Sequence, residues 1–378
     1  MDQDLFELVD QTLRCRGAEA GFDLLVRLLR EQKKYPLVFE ARLMRARHGL
    51  GLPLVKGGNI SDLPPEQQPA YQIAVREAAR ETGSLFLADG DVVGAWPYFR
   101  AIGDPGPVGD AIEHLSPNDA TEPVIQIALN ERVNPRKGFA LLLHKHGICT
   151  AISCAARYPD RADRVEFLRQ LVRAISSELV AALQEAIASV EGQIPATPSV
   201  AELIAGRNWL FTGARYYTEN SHLTSMVEAS VELEDRETLR LAWELAEYGR
   251  HLDPVHHLPG QPPFADTYVD FGAYLSALLG QNVDASVAHF RKKLDEAVPG
   301  SAEILVGLLT RLGRYTEALD ISVECLGGEA GSTCPSAIQL CQMASDYKRL
   351  SNLARQEGDL LAFAAGLLQQ QSVTKPHL

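Results

Sequence analysis

Apolar residues recur along this chain at intervals of three and four, and almost nowhere at intervals of two. Leu5, Leu8, Val9 and Leu13 form one stripe, and Phe22, Leu25, Val26 and Leu29 a second, with Gly17 and Gly21 between them. A helix completes a turn every 3.6 residues, so each set falls on one side of a helix. Phe39, Leu43 and Ala46 continue the pattern until residues 53–69, where Pro53, Gly57, Gly58, Pro64, Pro65 and Pro69 predict an irregular connection. Helices are expected over 71–87 and 92–102, and a short one over 123–130 with proline in its first turn. The spacing of Val165, Leu168, Leu171, Val172, Ile175, Leu179, Leu183 and Ile187 predicts one long helix, or two nearly collinear ones, over 162–191. Pro195 and Pro198 end it, and Ser199 with Glu202 three residues later has the form of a capping box. Downstream the pattern places helices over 199–211, 214–233, 236–251, 266–280, 283–297, 301–312, 315–326 and, with breaks, 335–371. No alternating run bounded by a tight turn predicts a strand. The fold class is therefore all-α, divided at the proline-rich segments into N-terminal hairpins (1–58), an irregular helical region (59–194) and a C-terminal helical array (199–371).

Two stretches carry small and large residues where paired helices would cross. Gly83, Phe86, Gly90, Ala95 and Phe99 make the first, and Gly313, Tyr315 and Ala318 the second. Ser286 with Phe290 and Leu239 with Trp243 are weaker copies, and Ala318 follows Ser286 by close to one repeat length. These positions resemble tetratricopeptide repeats, 34-residue helical hairpins. The resemblance implies an α-α superhelix of stacked hairpins, here interrupted by proline-rich loops, and a protein or peptide partner held on a concave face near 207–270.

Charge narrows the choice of partner. The chain carries a formal net charge of −13, but residues 1–60 hold 10 Lys and Arg against 8 Asp and Glu, leaving 26 against 41 for the rest. Most of this surface would repel phosphate, which argues against nucleic-acid and anionic-membrane binding. The basic side chains Arg27, Arg30, Lys33, Lys34, Arg42, Arg45 and Arg47 are the exception, to be read as a solvated helix face or as a polyanion site. The apolar stretches around 139–143 and 175–190 are interrupted by charges before the roughly twenty residues a bilayer needs, and no membrane helix is expected. The acidic start, Met1-Asp2-Gln3-Asp4, lacks the form of a secretion signal. The six cysteines show no CxxC pair, so reduced, buried thiols and a cytoplasmic address are expected.

Phosphate loops, nucleophile elbows, HExxH and EF-hand patterns are absent from the sequence. What stands out is a concentration of His, Tyr and acidic residues between 216 and 270. On a helix, Glu219 and His222 would share one face, and Glu247 and His251 would share another beside Glu244. If the two helices pack antiparallel, Glu219, His222, Glu247 and His251 could converge on one divalent cation, Zn, Fe or Mn. The competing reading is a set of solubilising surface pairs. His144 and His146 point about 200° apart on a helix and cannot chelate together. His256 and His257 sit in a loop rich in proline, followed by Phe264, Asp266, Tyr268 and Asp270. A stiff loop of this kind presents binding groups, or its aromatics plug the core beneath it. Arg207, Trp209, Arg215, Tyr216 and Tyr217 could anchor a peptide carboxylate or a sugar ring, or be core aromatics with a covering arginine.

Three functions follow as expectations. The first is a non-catalytic scaffold binding a peptide or protein through Arg207, Trp209, Arg215, Tyr217, His256, His257, Asp266 and Tyr268. The second is a metal-dependent hydrolase, lyase or oxidoreductase using His222, His251, Glu219 and Glu247 on a small polar substrate. The third is a homo-oligomer paired through the helices of 335–371.

Overall fold

The computed structural model describes residues 2–54, 63–328, 331 and 334–374. Residues 55–62 of the 53–69 connection, Gly57 and Gly58 among them, and residues 375–378 lie outside them. The described residues form eighteen α-helices and no strand, so the chain is all-α. They group into two compact units, 1–151 and 152–378.

The first unit contains α1 (Asp2–Glu31), α2 (Tyr35–Gly49), α3 (Gln68–Ala88), α4 (Val92–Ile102), α5 (Gly106–Glu113), α6 (Glu122–Leu129) and most of α7 (Pro135–Arg157). Helix α1 breaks at Gly17, whose φ of 81° lies in the left-handed region that glycine tolerates. Each helix from α1 to α4 packs on the next. Close approach of α3 and α4 depends on Gly83, where a Cβ would overlap the ring of the fully buried Phe99. Four of the seven basic side chains of the first hairpins are paired with acids of the same unit. Glu81 on α3 accepts from Arg42 at 2.8 and 3.0 Å and also from Arg30, Arg45 meets Glu19 and Asp23, and Lys33 meets Asp89 at 2.9 Å. Burial favours a neutral Glu81, but the two guanidinium partners outweigh it and hold the carboxyl below its usual value.

Helix α7 is, among the described residues, the one helix long and apolar enough to cross a bilayer by length and composition. Its helical dihedrals are interrupted at Gly147. Just before that break three consecutive side chains hold the segment around 118–122: His144 contacts Asn118 (3.2 Å), Lys145 donates to the Ala120 carbonyl (2.8 Å) and His146 meets Glu122 (2.9 Å). The divergence of the two histidines is thus put to use on separate partners.

In the second unit α8 (Arg161–Glu191) runs as one helix between an Asp160 N-cap and a left-handed Gly192. Its buried stripe, Phe167, Leu171, Ile175, Leu179, Leu183 and Ile187, receives α9 (Val200–Ile204), α10 (Asn220–Ala229) and α11 (Arg236–His251). Arg169 of α8 reaches Asp235, the N-cap of α11, at 2.8 Å. From α11 onward each helix packs on its successor through α12 (Thr267–Leu278), α13 (Val283–Asp295), α14 (Ser301–Arg311), α15 (Tyr315–Leu326), α16 (Ala337–Met343), α17 (Tyr347–Glu357) and α18 (Leu360–Thr374). Ser286, Phe290 and Ala318, singled out by the sequence pattern, are buried in this series.

Three expectations are corrected. The helices foreseen over 199–211 and 214–233 shrink to α9, a 3-10 turn at Asn208–Phe211, and α10, because Gly206, Gly213 and Ala214 all take left-handed dihedrals between them. The capping box at Ser199 is half made: its hydroxyl accepts from Glu202 N, but the Glu202 carboxylate turns to the Thr197 hydroxyl. A complete box occurs instead at Ser336 and Gln339. Of the cysteines only Cys334 and Cys341 are buried, with burial raising the Cys341 thiol to about 11, whereas Cys15, Cys149 and Cys325 are exposed.

Candidate functional site

The four residues expected to hold a metal do not come together. Glu219 precedes α10 with extended dihedrals, so it never joins the helical face that carries His222, and its carboxylate accepts from Ser221. Glu247 accepts from Arg250 at 2.8 Å. His251 donates to the Glu247 carbonyl and stacks on Phe211, ring centroids 5.4 Å apart and planes inclined by 30°. Glu244, expected beside Glu247, is buried and closes the N-terminus of α9, accepting from Val200 N at 2.9 Å, from Ser199 at 3.2 Å and from Arg240 at 2.8 Å. Among the described residues no three His, Cys, Asp or Glu side chains are placed to hold a metal ion. The residues do not fit a Zn, Fe or Mn centre, and the metal-dependent reading loses its geometry.

The polar and aromatic residues proposed as ligand-binding are mostly engaged by the protein itself. Arg207 grips Glu191 through Nε and Nη2 at 2.7 and 3.1 Å and donates from Nη1 to the Leu203 carbonyl. The Tyr217 hydroxyl donates to the Leu210 carbonyl, while its amide donates to the hydroxyl oxygen of Tyr248 at 2.7 Å. Burial raises Tyr248 well above the ordinary phenol value, which keeps that oxygen a neutral acceptor. Trp209 and His222 are half-buried, and Arg215 and Asp266 are exposed.

The loop between α11 and α12 is fastened at three places. His256 donates to the Ala214 carbonyl at 2.7 Å, and His257 to the Gly249 carbonyl at 3.1 Å while standing edge-on to Tyr268. Tyr268 is fully buried, its hydroxyl paired with Thr224 at 3.0 Å, and it fits only because residue 249 is glycine: a Cβ there would overlap its ring. The third fastening was not legible beforehand. Asp270, 1% exposed, meets His289 and Lys293 at 2.7 Å each, accepts from the Asp266 amide, and Lys293 donates onward to the Pro263 carbonyl. The available signal was the four-residue spacing of His289 and Lys293, which puts both on one side of α13. Beneath the loop Phe264 stacks on Phe271 at 4.0 Å, with Tyr274 and Phe290 edge-on around it. The aromatic plug foreseen for this loop is present in Phe264.

Among the side chains turned to solvent here are large apolar ones, alongside exposed polar groups such as Arg215, Asp253 and Asp266. Val255 is 73% exposed, Tyr216 52% and Leu258 46%. Tyr216 stands edge-on to His256 at 5.0 Å, which places it against the same loop. Compared with protein-family models, with curated proteins and with solved structures, the chain matches none.

Proposed function

We propose that the chain is a non-catalytic scaffold of stacked helical hairpins, tetratricopeptide-like in its packing, that binds a protein or peptide over residues 207–270. The observation that carries this reading is the condition of the 252–265 loop, fastened by His256, His257 and Lys293 yet turning Val255 and Leu258 outward beside Tyr216. A loop already held in one shape loses little freedom when a partner docks, so its apolar tips contribute more of their contact energy to affinity. Tyr216 is of the aromatic type that most often anchors such surfaces, and Val255 and Leu258 supply apolar contact around it. The repeat character is supported by small-against-large contacts such as Gly83 with Phe99 and by the serial packing of α11 to α18. The acidic excess beyond residue 60 favours a basic or neutral partner through complementary potential.

Quantitative pull-downs from cell extract with wild type and with a Val255→Asp, Leu258→Asp variant test the proposal. At least one protein retained by the wild type should fall about tenfold or more with the variant. Equal recovery of every retained protein by both chains would overturn it.

A further inference from the structure

Among the described residues, helix α18 packs on α17 through one face. Gly366 faces α17 so closely that a Cβ would overlap the Ser351 hydroxyl, Gln370 donates to the Tyr347 carbonyl at 2.7 Å and to Ser351 at 3.0 Å, and the Phe363 ring lies under the Arg355 guanidinium. Residues 363, 366 and 370 therefore mark the inner face, and at 3.6 residues per turn the opposite face is formed by Leu361, Ala364, Ala365 and Leu368. A helix packed on one side normally turns charged and polar residues to water. This one does the reverse: Leu361 is 83% exposed, Leu360 81% and Leu368 66%.

Three features select the occupant of that face. First, from Leu360 to Thr374 the helix carries no charged residue, in a chain whose formal net charge is −13. Two copies could approach here without placing like charges in contact, which the acidic surface elsewhere would make costly. Second, the outer face reads alike from both ends: Leu361, Ala364, Ala365 and Leu368 are symmetric about a point between 364 and 365. Across a two-fold axis residue i meets j and j meets i, so an axis at that point sets leucine against leucine and alanine against alanine. Third, the outer leucines are seven residues apart with small side chains between them, the spacing that lets two helices pair along a seam and approach closely at its centre.

We propose that α18 is a self-association surface on which a second copy of this chain docks its own α18 antiparallel, about a two-fold axis between residues 364 and 365. Leu361 then meets Leu368 of the other copy, and Ala364 meets Ala365. The exposed leucines and alanines would bury on the order of 1,000 Å² in total, at the lower bound of specific interfaces, so the dimer forms and dissociates with concentration in the micromolar range. This is independent of the partner surface at 207–270.

Sedimentation equilibrium of the full chain, of Leu361→Lys and of Leu368→Glu tests it, with circular dichroism as the check on folding. The wild type should approach twice the monomer mass on concentration, and each variant should weaken dimerisation about tenfold or more. Mixed in equal amounts, the two variants should recover a dimer, because in the antiparallel register the lysine at 361 faces the glutamate at 368. A wild-type monomer throughout the micromolar range, dimers unaffected by either substitution, or no recovery on mixing would each overturn the proposal. Recovery on mixing cannot arise from variants that have merely unfolded.

Discussion

Between residues 199 and 293 several of the side chains expected to carry chemistry are turned onto the protein itself, whereas in α18 the leucines, the residues with least chemistry, are turned to water. Glu244 closes the start of α9, His256 and His257 donate to main-chain carbonyls, and Asp270 gathers His289 and Lys293. Leu360 and Leu361 touch little, each more than four-fifths exposed. Residue type tells what a side chain can do; burial and hydrogen-bond partners decide whether it is available. For these residues availability runs opposite to type, and the leucines of α18 are left exposed for recognition.

The strongest way to break the comparison is at Asp270. Replacing it with alanine leaves Lys293 and His289 facing a buried gap, and loss of one partner from such a cluster costs about 3–5 kcal/mol. Urea unfolding of Asp270→Ala should show that loss with an unchanged slope. A loss below about 1 kcal/mol would mean that the cluster is open to water and available to a ligand. Gly249→Val comes next. The added side chain collides with the Tyr268 ring, and forced repacking of this kind costs about 1–3 kcal/mol. A neutral outcome would show that Tyr268 can swing aside, and that the loop is not held as described.

How much of this was readable depends on the range of the interaction. Periodicity located α4, α8, α11 and α15 to within a residue or two, because a helix's buried stripe is local and repeats along the sequence. The break at Gly17 was visible for the same reason. The stretches 205–211 and 214–219 were misread as helix, since no pattern announces that Ala214 will take a positive φ, and with them went the shared face for Glu219 and His222. The Asp270 cluster joins residues on two helices across 19 and 23 positions, and the sequence contains no mark of which acid will meet which base. For α18 the sequence pointed to pairing through 335–371 but not to a face: leucines at helical spacing do not say which side is covered, and the position of Gly366 and Gln370 against α17 shows which leucines lie opposite.

A smaller effect separates charge from shape at the join of α8 and α11. Asp235 is partly buried, which alone would raise its pKa, but the Thr238 hydroxyl and amide and the Arg169 guanidinium together hold it below the usual value. A carboxyl depressed in the folded state adds stability above its unfolded pKa of about 3.9, and that contribution disappears as pH falls through the lower folded value. Asp235→Asn keeps an N-cap oxygen and removes only the charge. Because a third of the side chain is exposed, the expected loss at pH 7 is about 1 kcal/mol or less, shrinking to nothing in acid. An equal loss at pH 3 and pH 7 would assign it to altered capping geometry.

The smallest expected change is the most informative about α18. In the monomer Leu361 is 83% exposed, so removing it from the helix surface forfeits almost no burial. Leucine and lysine have nearly equal helix propensity, so the backbone is indifferent to the exchange. Leu361→Lys, measured at a concentration low enough for the chain to be monomeric, should therefore shift the unfolding free energy by less than about 0.5 kcal/mol. A shift above about 1 kcal/mol in the dilute protein would require that Leu361 is already buried against something within the same chain. The contrast between a satisfied interior at 199–293 and an exposed apolar face on α18 would then fail at its second half, and with it the reason for a second copy to dock there.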